Sequence, residues 1–132
     1  MSSRTVLAWF FVGAVCLALA TERQAAAAPS APPGTEAILV KMIEAVKAQS
    51  YDDFLVNADS KLKSGLSRQQ FEGICGLYTA PLRKGYRLEY LGQLRQRGTV
   101  VLLWKITVVD SPDETLLRMV MKDGKVDGFS VH

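Results

Sequence analysis

The chain has 132 residues, 48% of them hydrophobic and 22% charged, which is the make-up of one globular domain and excludes a disordered or fibrous chain. Sixteen Lys and Arg against thirteen Asp and Glu give a net charge of +3, and taking Arg4, Arg23 and Glu22 away with a leader leaves 14 against 12. The basic residues are scattered along the sequence in ones and twos, Arg95 and Arg97 at a hairpin tip among them, so no nucleic-acid partner is expected.

Residues 1–28 read as a signal peptide. Arg4 and the amino terminus supply positive charge, Val6 to Ala20 form a fifteen-residue apolar run, and Ala25–Ala28 follows a polar break with A-x-A cleavage sites. The run is short for a membrane span, which takes about 20 residues. A cleaved leader implies a secreted or periplasmic protein with no stable span. The competing readings are an uncleaved anchor and lipidation at Cys16. After cleavage Cys75 is the only cysteine, so no internal disulfide and no cysteine metal site is expected. Residues 29–34, with three prolines and a glycine, read as a linker ahead of one domain over 35–132.

Thr35 is read as the N-cap of a first helix, whose apolar stripe is Ile38, Leu39, Met42, Ile43 and Val46. Ser50 and Asp53 open a second helix with Phe54, Leu55, Ala58 and Leu62 on its apolar face, closed by Ser64-Gly65. Ser67 and Gln70 form a capping box for a third helix, which buries Phe71, Ile74, Cys75 and Tyr78 and ends at Pro81 and Gly85.

Beyond Gly85 the period falls to two. Tyr86, Leu88 and Tyr90 alternate with Arg87 and Glu89 in a half-buried strand, and Thr99 to Val109 is apolar enough to sit centrally in a sheet. Thr115 to Lys122 and Lys125 to Val131 are the third and fourth strands, joined by Asp123-Gly124, a strong hairpin signal. A three-residue loop at Gln96, Arg97 and Gly98 would place Tyr86, Leu88, Tyr90, Gly92 and Leu94 opposite Val108, Ile106, Trp104, Leu102 and Val100. That register also sets Glu89 opposite Lys105 as a cross-strand pair. The expected architecture is α+β: three helices on one face of a four-stranded antiparallel meander, the face that carries Trp104, Tyr86 and Tyr90.

This order, with Tyr51-Asp52-Asp53-Phe54, Leu66-Ser67-Arg68-Gln69-Gln70-Phe71, Leu103-Trp104-Lys105 and Asp123-Gly124-Lys125-Val126-Asp127-Gly128-Phe129, resembles the nuclear-transport-factor-2-like (cystatin-like) superfamily of cone-shaped domains, over roughly residues 36–132. The closest likeness is to its small exported members of unknown function. The resemblance implies a pocket between a curved sheet and the helices, in a superfamily of isomerase- and dehydratase-like enzymes, ligand binders and dimeric interaction modules.

The residues themselves carry little chemistry. His132 is the only histidine and sits at a chain end, so histidine-based catalysis and metal binding are excluded. Asp52, Asp53 and Asp59 read as helix-end acids. Neither a metal nor a cofactor is expected. Tyr78, Tyr86, Tyr90 and Trp104 are the candidates for lining a pocket for a small apolar ligand, with plain core as the competing role. Glu89 and Lys105 would act as acid and base on a concave polar face, with an exposed pair as the competing role. Asp127 is the best general-base candidate, provided it faces those aromatics, and Gly128 beside it suggests a bulge. The leading functional reading is an exported, non-catalytic domain that binds a small apolar ligand or a protein partner, with a homodimer formed through its sheet as one option. The alternatives are a small isomerase- or dehydratase-like enzyme using Asp127 with a Tyr donor, and an inhibitor or immunity-like module acting through hairpin tips such as Arg95–Gly98.

Overall fold

Backbone hydrogen bonding divides the domain at Gly85, with helices before it and strands after it. The structure is a computed structural model that describes residues 28–132, so the leader expected over 1–28 lies outside the described residues except for Ala28. In chain order the elements are α1 (Thr35–Lys47), α2 (Tyr51–Phe54), α3 (Ser60–Gly65), α4 (Arg68–Arg83), β1 (Tyr86–Gln96), β2 (Thr99–Val108), β3 (Glu114–Lys122) and β4 (Lys125–Val131). The strands form one antiparallel sheet in the order β1-β2-β3-β4, which is the expected α+β meander.

Helix α1 starts one residue earlier than read from the sequence. Gly34 is its N-cap, and Thr35 is the first helical residue. The Thr35 hydroxyl donates back to the Pro32 carbonyl at 2.7 Å, which ties the linker to the helix. The single helix expected over 50–65 is two short ones. Between them the Val126 amide donates to the Asn57 carbonyl at 2.8 Å, and the Asp59 amide donates to the Val126 carbonyl at 2.9 Å, so the chain leaves the helix to pair with β4. That pairing covers an otherwise open sheet edge. Asp59 then restarts the helix by accepting from the Leu62 amide at 3.0 Å.

The capping box of α4 is present as expected. The helix nevertheless runs through Pro81 to Arg83. A proline in the last turn removes one backbone donor, and two contacts hold the turn beyond it. Leu82 is buried, and the Arg83 guanidinium donates to the Lys47 carbonyl at 2.7 and 3.1 Å, capping the negative end of α1. Thr79 adds a buried bond to the Val46 carbonyl at 2.8 Å. Together these lock α4 across the end of α1.

The register expected for the first hairpin holds from Tyr86↔Val108 to Tyr90↔Trp104 and fails beyond it. The loop has two residues, Arg97 and Gly98, both at positive φ (50° and 76°), so Gln96 pairs with Thr99. This is the turn that matches strand twist best. The extra residue is absorbed by a bulge at Leu91, where Gly92 takes φ 150°. Burial thus decides the register near the core, turn geometry decides it near the tip, and the bulge reconciles them. In consequence Leu94, expected to face inward opposite Val100, is exposed, as is Leu91 at the bulge. The second hairpin turns at Asp123-Gly124 as expected, again with two positive φ values.

The core lies between the helices and the inner face of the sheet. Leu39, Met42, Phe71, Leu102, Trp104, Met119 and Val126 are all at most 2% exposed, and each comes from a stripe of the expected period.

Candidate functional site

At the end of the domain where β2 turns into β3, the helices and the sheet do not meet completely. The gap is a cleft of about 70 Å³. Its helical wall is Met42, Ile43 and Val46 of α1, Phe54 of α2, and Ile74, Tyr78, Pro81 and Leu82 of α4. Its sheet wall is Ile106 and Val108, Thr115 and Leu117, and Phe129 and Val131, alternate residues of β2, β3 and β4. No charged residue lines it, and only Tyr78 and Thr115 bring a hydroxyl. The Pro81 ring adds apolar carbon to the α4 side of the wall.

The residues singled out from the sequence do not gather at one place. Of the four aromatic candidates, Tyr78 lines the cleft and the other three lie outside it. Trp104 is core, 1% exposed, with its ring edge-on to Tyr90 at a centroid distance of 5.0 Å. Those two, with Leu88, face the linker residues 29–34. Tyr86 is pinned to α1, its hydroxyl donating to Glu44 Oε1 at 3.2 Å and its ring lying 5.7 Å from Lys47 Nζ. Desolvation pushes the Tyr86 and Tyr90 phenols above their ordinary pKa, with Glu44 adding to the effect at Tyr86, so both remain protonated hydrogen-bond donors.

Asp127 is the extra residue of a bulge in β4, since Val120 pairs with Gly128 and Met121 with Val126. The bulge expected from Gly128 is therefore present. It turns Asp127 away from the cleft and onto the outer side of the sheet, where Lys61 Nζ stands 3.3 Å from its carboxylate. The pKa of Asp59 is lowered chiefly by the hydrogen bond it accepts from the Leu62 amide. The general-base arrangement, which needs Asp127 beside an inward tyrosine, is not what the geometry brings together.

Glu89 and Lys105 form the expected cross-strand pair at 2.8 Å, and Glu114 joins it at 3.1 Å from the other side. The hydrogen bond to Lys105 lowers the Glu89 pKa, and the bond to Glu89 raises that of Lys105. Cys75 is a buried free thiol, its pKa raised by desolvation. His132 stays at the periphery, with Nε2 3.0 Å from Ser130 Oγ.

Most of the cleft wall was not singled out from the sequence. Ile106, Val108, Phe129 and Val131 carry a signal in their alternation, which places them on the inner face. What alternation does not show is that the helices stop short of them. That depends on where α4 crosses the sheet.

No protein-family model matches the chain, and no curated protein matches its sequence. Two solved structures are similar to it. One is TerC co-crystallized with polyporic acid, with a TM-score of 0.43 and 14% identity over 74% of this chain and 88% of that one. The other is an NTF2-like protein of unknown function from Cytophaga hutchinsonii ATCC 33406, with a TM-score of 0.39 and 9% identity over 79% of this chain and 93% of that one. Neither likeness bears on what this chain binds.

Proposed function

We propose that the domain is a non-catalytic binder whose cleft takes the end of a small, unbranched apolar ligand such as an acyl chain. The observation that supports this is the cleft's wall, fourteen residues from six elements without a charge among them. Few-polar, mostly apolar concavities are the usual form of small-molecule sites. Size narrows the class. An apolar cavity of about 150 Å³ accepts benzene, and this cleft has about 70 Å³. A flexible chain end enters such a space more readily than a fused ring. The Tyr78 and Thr115 hydroxyls are the two polar side-chain groups the wall offers to a ligand's polar end. The non-catalytic part of the reading rests on the position of Asp127 on the far side of the sheet from the cleft.

Export completes the proposal. Its support is the leader read over residues 1–28; an exported binder would carry or sense an apolar compound outside the cytoplasm.

Calorimetric titration with saturated fatty acids of increasing length tests the reading. Each buried CH₂ is worth about 0.8 kcal/mol, so affinity should rise about fourfold per carbon and then level off once the cleft is filled. Val108→Trp, at a half-exposed position on the wall, should abolish the rise. Flat affinities along the series, or a rise that Val108→Trp leaves intact, would contradict it.

A further inference from the structure

The outer face of the sheet carries a second concavity, a groove of about 720 Å³. Its rim is Lys61, Arg97, Arg118 and Lys122, and its floor includes Val120 and Gly128. These cations are far apart in the sequence. The two hairpins and the docking of α3 on β4 bring them to one place. Among the described residues, no carboxylate stands within 4.0 Å of Arg97, Arg118 or Lys122. Lys122 also lies directly opposite Lys125, and like charges facing each other across strands cost stability. Asp127 is the single acid on the wall. Its side chain is 11% exposed and held by Lys61. A concave wall that concentrates one sign of charge attracts the opposite one.

Strand geometry sets the spacing of the charges. Arg118 and Lys122 stand on the same face of β3, four residues and about 13 Å apart, with Val120 midway between them. An extended peptide repeats its same-face side chains at the same interval. Acids at positions one and five, with a small apolar residue at position three, would meet Arg118, Lys122 and Val120 in turn.

We propose that this groove docks an extended acidic peptide segment of a partner protein. A uniformly anionic polymer fits less well, because it would lay charge against Asp127 at the Lys61 end and find no use for the apolar floor. A peptide can change sign along its length and carries apolar side chains between its acids.

The experiment is fluorescence anisotropy of the chain with a labelled peptide containing Glu-Thr-Val-Thr-Glu, run against a sulfated hexasaccharide. Saturable binding is expected, weakening as salt rises from about 50 to about 300 mM. Arg118→Gln with Lys122→Gln should weaken it roughly tenfold, the loss of two exposed ion pairs. Arg97→Asn should also weaken it, and asparagine tolerates the positive φ of that turn, so folding is retained. Lys41→Gln, on exposed α1, should have no effect. The proposal is overturned by absence of peptide binding, by equal binding in the double variant, or by tighter binding of the hexasaccharide, which would make the groove a polyanion site. It is also overturned if the peptide is displaced by a second copy of the chain through its Asp110–Glu114 turn.

Discussion

Glu89 and Asp127 are both acids of the sheet, and their neighbours give them different consequences. Glu89 accepts from Lys105 on an open face, and its pKa falls because that bond favours the charged form. A carboxylate whose folded pKa is depressed stabilises the fold above its unfolded value, and the contribution is lost as pH falls through the folded one. Glu89→Gln should therefore lower the urea midpoint slightly at neutral pH, and the difference should close below the ordinary glutamate range. A gap that persists in acid would assign the effect to packing. Asp127 was legible as a bulge candidate through Gly128. Its direction was not, because a bulge breaks the alternation from which faces are read. Gly124, at φ 77° with nothing within 4 Å of a Cβ, is a test of backbone alone. Gly124→Ala should cost about 1 to 3 kcal/mol in denaturant unfolding, with no packing term.

The elements were legible wherever one local signal dominated. The Ser67–Gln70 capping box is complete, with bonds of 3.1 and 2.9 Å, and Ser67→Ala should cost about 1 kcal/mol, read as a lower thermal midpoint. Two signals competed at the places where reading failed. Over 50–65 the helical stripe was real, but Asn57, Ala58 and Asp59 were claimed by the edge of β4, which no local pattern announces. In the first hairpin the turn preference of Arg97-Gly98 and the inward pattern of Tyr86 to Tyr90 demanded registers one residue apart, and the Leu91 bulge satisfied both. At Pro81 a stop signal lost to the burial of Leu82 and the bonds of Arg83. The candidate site inherits this limit. Its strand wall could be read from alternation, while its opening depends on how α4 crosses the sheet, which is a tertiary distance.

At the scale of the whole molecule the sheet divides two environments. The helix side is apolar and nearly filled. Leu102→Ala, at 0% exposure in the centre of β2, should cost about 2 to 5 kcal/mol. What is left unfilled is the cleft at the β2–β3 end. The outer side is charged, with the Glu89–Lys105–Glu114 chain toward one end and the basic groove at the hairpin tips. A ligand in the cleft and a peptide in the groove would lie on opposite faces of β3, so their variants should act independently. The central claim is that the apolar cleft binds, and methyl NMR of the chain titrated with octanoic acid tests it most directly. The account predicts shifts confined to methyls of the cleft wall, those of Met42, Ile43, Val46, Ile74, Leu82, Ile106, Val108, Thr115, Leu117 and Val131, with Val101 and Val120 on the outer face unmoved. Shifts centred on the outer face, or none at all, would contradict it.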